Sequence, residues 1–148
     1  MNTYRAIIID DEPNVSKALE LIIADEFPEI WLIANCTSAK EGREVLAKNH
    51  IDFIFLDINM PEENGFEFLE SIGEINVAVI FITAYQEYAL KALKANAVDY
   101  LLKPVSSVEL KEAIKKAKYR LNEIKQKTHD SGIYTQSVEN LIKQMQSN

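Results

Sequence analysis

The chain has 148 residues, 47% of them apolar and 26% charged, with only four glycines and four prolines. That length gives one ordinary domain, or one domain plus an appendage, with a core of its own, and the composition excludes collagen-like, linker-rich and disordered designs. The formal net charge of −7 is split: residues 1–104 carry 8 Lys/Arg against 18 Asp/Glu, net −10, and residues 105–148 carry 8 against 5, net +3, so the acidic body is a poor partner for nucleic-acid phosphates.

In chain order, residues 4–10 (YRAIIID) read as a first strand. Pro13 and Asn14 open a helix that carries Val15, Ala18, Leu19, Ile22 and Ile23 at helical spacing, with proline tolerated in the first turn. Residues 31–37 (WLIANCT) form a second strand, on which Trp31 is expected to pack. Cys36 is the only cysteine, which excludes an intrachain disulfide and a cysteine metal cage. Its expected role is that of a small buried hydrophobe. Ser38 is predicted to cap a second helix ending near Asn49, with Glu41 at the capping-box position.

Residues 53–57 (FIFLD) are a third strand, and a short helix with Phe66, Phe68, Leu69 and Ile72 follows Gly65. Residues 78–83 (AVIFIT) are a fourth strand. The next helix, about 86–95, carries Ala89, Leu90 and Leu93 as its apolar pattern. Residues 97–103 (AVDYLLK) are the fifth strand. A helix from Ser106 or Ser107 then places Leu110, Ile114, Ala117, Leu121 and Ile124 at steps of four and three. Residues 128–136, polar and holding Gly132, read as a linker, and Val138, Leu141, Ile142 and Met145 as one more short amphipathic pattern. The expected division is a domain over 1–124, then a segment over 125–148 leading toward an output domain that this sequence does not hold.

Five apolar strands alternating with helices predict an α/β fold, a doubly wound five-stranded parallel sheet with helices on both faces. Open sheets of this kind bind ligands at the carboxyl ends of their strands. The first strand ends on Asp10, Asp11 and Glu12, the third on Asp57, the fourth on Thr83 and Ala84, and the fifth on Lys103 and Pro104. With sheet order 2-1-3-4-5 the three aspartates converge, flanked by Lys103 and Thr83. Crowded carboxylates repel, and a hard divalent cation compensates them. Few protein ligands in a roomy site point to Mg²⁺. A carboxylate nucleophile with metal, ammonium and hydroxyl around it is equipped for phosphoryl transfer.

These stretches resemble a known family. IIIDDEPN at 7–14, FIFLDINMPEENGFEFL at 53–69, FITAYQEYALKAL at 81–93 and AVDYLLKPVSSVELKEAI at 97–114 are similar to the receiver domain of two-component response regulators, over about residues 4–123. TAYQEYALKALKANAVDYLLKP further resembles receivers of LytTR (LytR/AlgR-type) regulators. The resemblance implies a flavodoxin-like receiver fold. It implies Asp57 as phosphoryl acceptor from a sensor histidine kinase, and Mg²⁺ on Asp10, Asp11, Asp57 and the Asn59 carbonyl. Thr83 and Lys103 would bind phosphoryl oxygens, Tyr100 would be the switch aromatic, and the Lys103–Pro104 peptide would be cis. Tyr85, with Ala84 and Pro104, would border the site, where an aromatic ring is expected to hinder water and lengthen the phosphorylated lifetime.

The expected output is a homodimer through the helix 4–strand 5–helix 5 face, with Leu121 and Ile124 running past the sheet. DNA would be reached only through the missing output domain. A stand-alone receiver acting by protein–protein binding is the alternative. A haloacid-dehalogenase-type phosphatase is disfavoured because Asn59 stands where that class places a general acid. A nucleotide-binding module is disfavoured because the glycines form neither a P-loop nor GxGxxG. His50 and His129 are expected on the surface. With no apolar run of 18 residues and three acids in the first twelve, the chain is expected to be cytoplasmic, with no membrane partner.

Overall fold

The computed structural model describes the backbone of residues 2–146, and the side chains of residues 2–125 together with Met145. The elements are β1 (Tyr4–Ile9), α1 (Pro13–Glu26), β2 (Ile30–Cys36), α2 (Ala39–Lys48), β3 (Phe53–Leu56), α3 (Gly65–Ile72), β4 (Ala78–Thr83), α4 (Ala89–Lys94) behind a 3₁₀ turn at Gln86–Tyr88, β5 (Asp99–Leu102) and α5 (Ser107–Gln146). All strand pairs are parallel, in the order β2-β1-β3-β4-β5. This is the predicted doubly wound sheet.

Successive strand residues face opposite sides of a sheet, so each strand feeds two cores. Ile8, Phe53, Phe55 and Ile80 pack against α1 and α5, and Ile7, Ile9, Ile54 and Phe81 pack against α2, α3 and α4. Burial on both faces explains why β3 and β4 are apolar throughout. The rings of Phe53, Phe55, Phe68 and Phe81 are buried, each contributing about 1.5–3 kcal/mol relative to exposure.

Local signals explain the helix starts. Ser38 accepts from the Glu41 N–H, as predicted. The Glu41 carboxylate, however, accepts from the backbone N–H and hydroxyl of Thr37, so the reciprocal half of the box falls one residue earlier. A complete capping box lies instead at Asn64 and Glu67, ahead of α3.

Several expectations need correction. Leu90 and Leu93 are 64% and 72% exposed, and the α4 residue that enters the core is Ala92. Helix α4 has six residues, and its phase is set by the 3₁₀ turn before it rather than by an apolar stripe. Trp31 is 56% exposed on the edge strand β2. Leu121 is buried in the core and does not run past the sheet, while Ile124 is half-buried. Residues 128–136 are helical backbone within α5, not a break between elements. Met145 is exposed. The side chains of His129, Val138, Leu141 and Ile142 lie outside those described. No helix is long and apolar enough to cross a membrane among the described residues.

Candidate phosphoryl-transfer site

Three sheet hydrogen bonds place the chemistry at the carboxyl ends of the strands. The Asp10 N–H donates to the Cys36 carbonyl at 2.9 Å, the Asp57 N–H to the Ile9 carbonyl at 2.9 Å, and the Lys103 N–H to the Thr83 carbonyl at 2.8 Å. Asp10, Asp57 and Lys103 thus sit one residue past the ends of β1, β3 and β5, and Thr83 is the last residue of β4. The runs 4–10 and 53–57 lose only their final aspartate from the strand and 97–103 is trimmed at both ends, whereas the fourth strand is 78–83 as expected and the second keeps seven residues, shifted by one.

The side chains of Asp10 and Asp57 are buried. One oxygen of each is held by its own turn: Asp10 Oδ1 accepts from the Glu12 N–H at 2.9 Å, and Asp57 Oδ1 from the Ile58 N–H at 2.8 Å. Their other oxygens share the Lys103 ammonium, which lies 2.9 Å from Asp10 Oδ2 and 3.1 Å from Asp57 Oδ2. The Lys103 side chain is only 10% exposed. Burial pushes the Asp10 carboxyl above its ordinary range and the Asp57 charge adds to this, against the Glu12 N–H and Lys103. Burial also opposes the Lys103 ammonium, but the Asp10 and Asp57 carboxylates outweigh it and hold the lysine above its usual value.

Asp10, Asp11, Glu12 and Asp57 each bring one carboxylate oxygen within 4.8 Å of the others. Four carboxylates face one ammonium. Among the described residues, three buried side-chain polar atoms have no partner: Asp11 Oδ1, Thr83 Oγ1 and Ser16 Oγ. The first two belong to this site, and a buried orphan oxygen marks a place where a ligand completes the hydrogen bonding. An excess of hard oxygen donors and an orphan carboxylate oxygen fit a hard cation such as Mg²⁺.

Glu12, at the end of the first strand, also reaches the site: its Oε1 lies 3.4 Å from the Lys103 ammonium. Asn59 is exposed. Ala84 and Pro104 are exposed and border, with Glu12, Val15 and Lys103, an apolar groove of about 460 Å³. The Lys103–Pro104 peptide is cis, as the resemblance implies. Tyr100 is half-buried, tilted on Phe81 with centroids 6.3 Å apart, and its hydroxyl donates to the Tyr85 carbonyl. The Tyr85 ring packs edge-on against Tyr88 at 6.2 Å. Cys36 is buried, as expected of a small hydrophobe, and burial pushes its thiol up to about 11. His50 is exposed and pairs with Asp52.

Gly65 has a part that the sequence reading missed. A Cβ there would stand 2.5 Å from the Asp57 carbonyl oxygen and 3.2 Å from Ile58 Cα. Both are backbone atoms, so Gly65→Ala must move the peptide that carries Asp57. The expected cost is about 1–3 kcal/mol, typical of overpacking, read from urea denaturation. A loss below a few tenths would show that the loop yields freely.

Residues 6–115 match the family described as "Response regulator receiver domain". Over 135 residues the chain is 31% identical to the sensory transduction protein LytT of Enterococcus faecalis, covering 89% of this chain and 55% of that protein. Over 116 residues it is 37% identical to the transcriptional regulatory protein LytR of Staphylococcus aureus, covering 77% and 47%. The chain therefore spans about half the length of these relatives. The response regulator protein TrrA of Thermotoga maritima, solved in complex with Mg(2+)-BeF, superposes with a TM-score of 0.68 at 28% identity, over 79% of this chain and 99% of that one.

Proposed function

This chain belongs to the response regulator receiver domain family, and we propose that it takes a phosphoryl group onto Asp57 from a sensor histidine kinase and converts the added charge into a change of shape. The observation that carries this is the Lys103 ammonium bridging the two buried carboxylates of Asp10 and Asp57, beside an orphaned Thr83 hydroxyl. Asp57 Oδ2, which Lys103 holds at 3.1 Å and must release, attacks phosphorus; the new O–P bond forms as the P–N bond to the kinase histidine breaks, and the imidazole leaves with the electron pair. Asp10, Asp11 and Asp57, with the Asn59 carbonyl, would hold Mg²⁺. When bound there, the metal would supply positive charge against the phosphoryl oxygens. Lys103 trades its contact with Asp57 for a phosphoryl oxygen, and Thr83 donates to another. A single covalent event per chain follows, with no turnover substrate.

Incubation with Mg²⁺ and acetyl phosphate, followed by intact mass, tests this. One phosphoryl group per chain is expected, and multiple turnover on phosphate monoesters would contradict it.

The readout we propose is the β4–α4 loop with Tyr100. When Thr83 turns toward the phosphoryl group, the Tyr100–Tyr85 link must give, and the face of α4, β5 and α5 changes. That face exposes Leu90 and Leu93, apolar surface suited to pairing two copies. We further propose a cytoplasmic setting and, in a longer protein, DNA binding through an output domain; the name "transcriptional regulatory protein" carried by a relative supports this. Thr83→Ala is expected to accept label more slowly yet lose the phosphorylation-dependent shift to dimer in analytical ultracentrifugation. Full dimerisation of the labelled variant would remove Thr83 from the switch.

A further inference from the structure

Arg43 lies on α2, outside the groups assigned to the site, yet it makes a half-buried, two-armed ion pair. Its two terminal nitrogens grip the two oxygens of Glu63 at 2.6 and 2.7 Å. Nη1 also donates to Ser71 Oγ at 2.9 Å, and Ser71 Oγ in turn donates to the Phe68 carbonyl at 2.7 Å. The guanidinium stands 6.0 Å from the centre of the buried Phe68 ring. One side chain therefore ties α2 to both α3 and the loop before it. A bidentate guanidinium–carboxylate pair fixes orientation as well as distance.

The loop it grips is the one that leaves Asp57. The Ile58 N–H orients the Asp57 carboxylate at 2.8 Å. The Ile58 carbonyl accepts from the Gly65 N–H at 2.8 Å, and the Glu63 N–H donates to the Pro61 carbonyl at 2.8 Å. Glu62 sits at φ +70°, a conformation that a side-chain-bearing residue holds only when its neighbours impose it. Residues 58–64 thus form a loop closed at its base by Ile58 and Gly65, with Glu63 as its outer anchor. Release of Glu63 frees a strained turn next to the residue whose N–H aims the acceptor.

We propose that Arg43 is a positioning residue for cation binding: through Glu63 it holds the β3–α3 loop so that Asp57 and the carbonyl of Asn59 are set for the metal. This rests on the reading of the site given above. Partners that orient metal ligands typically change affinity about 10–100-fold; since Arg43 acts through a whole loop, we expect about fivefold.

The test uses the full 148-residue chain and Mg²⁺ alone, titrated by calorimetry, with labelling by acetyl phosphate in parallel. Arg43→Gln and Glu63→Gln should each weaken Mg²⁺ binding about fivefold, with the plateau of labelling at saturating Mg²⁺ unchanged. The double variant should be no weaker than either single, and the swapped pair Arg43→Glu/Glu63→Arg should recover most of the affinity. A folded Arg43→Gln chain with wild-type Mg²⁺ affinity overturns the inference, as does a lowered labelling plateau with unchanged affinity. If Arg43→Gln does not fold, Arg43→Lys decides: it keeps the charge but not the two-armed grip, and unchanged affinity overturns the inference. A wild-type chain that neither binds Mg²⁺ nor takes label overturns the reading of the site itself. A wild type that does both beside unaffected variants overturns the role of Arg43 alone.

Discussion

Asp57→Asn is expected to take up no phosphoryl group from acetyl phosphate at any Mg²⁺ concentration, with the fold intact. The amide oxygen can still accept from the Ile58 N–H, which now meets Asp57 Oδ1 at 2.8 Å, so the local turn survives. What disappears is the anionic oxygen beside Lys103; an amide is no nucleophile toward phosphorus. The metal site loses one of its four convergent carboxylates. Ligand that binds only the native state stabilises by mass action, about 2.7 kcal/mol at a hundredfold excess over the dissociation constant. Wild type should therefore melt later in Mg²⁺ and the variant should lose most of that gain. Intact mass and a thermal melt, each with and without Mg²⁺, read both effects. Residual stoichiometric label on the variant would move the acceptor elsewhere.

The second large effect is on stability. Lys103 is the one cation touching Asp10 and Asp57 among the described residues. Removing one partner of a buried ionic cluster leaves the others uncompensated, at a cost of about 3–5 kcal/mol. Lys103→Met keeps much of the stem's volume and deletes the charge, so its loss at neutral pH should approach that figure. The pH dependence has a definite sign. Asp10 is held above its ordinary 3.8 by burial and by Asp57. The folded chain therefore keeps that proton more tightly than the unfolded chain, and this group's contribution falls as pH rises from the ordinary value through the raised one. Without Lys103 the Asp10 carboxyl rises further, so the variant should regain stability in mild acid over a wider window than wild type. The Lys103 contribution, with its folded value raised, is complete below the unfolded lysine value of 10.5 and is lost as pH climbs through the folded one. Urea denaturation across mildly acidic to alkaline pH measures both. A loss under about 1 kcal/mol, flat with pH, would match an exposed pair instead. Mg²⁺ should restore part of the variant's stability, since it supplies the missing positive charge.

The fold was legible because the two central strands β3 and β4 are apolar nearly throughout, and the strands stop at acids, a threonine or a lysine. Asp10, Asp57, Thr83 and Lys103 could be found from their places at strand ends, and the structure brings them together. What escaped depended on contacts between distant residues or on the phase of short elements. Arg43 and Glu63 are twenty positions apart, and nothing in either segment announces the other. Leu90 and Leu93 have helical spacing, but α4 is too short for spacing to fix which face turns inward, and Lys91 over Phe66 at 4.6 Å helps hold the observed phase. The Asn64 cap is legible in the sequence, since Asn64 and Glu67 stand three apart just before Phe68 and Leu69. Gly132 suggested a break, yet a single glycine costs a helix only about 1 kcal/mol, and the α5 backbone continues through it.

The most direct test of the account is chemical location of the phosphoryl group. After Mg²⁺ and acetyl phosphate, borohydride reduces an acyl phosphate of aspartate to homoserine, and peptide mass spectrometry finds the altered residue. The account predicts homoserine at position 57 alone, one per chain, and none when Mg²⁺ is withheld. Label on a serine, threonine or histidine, or an unmodified Asp57 in chains that carry phosphate, would contradict it.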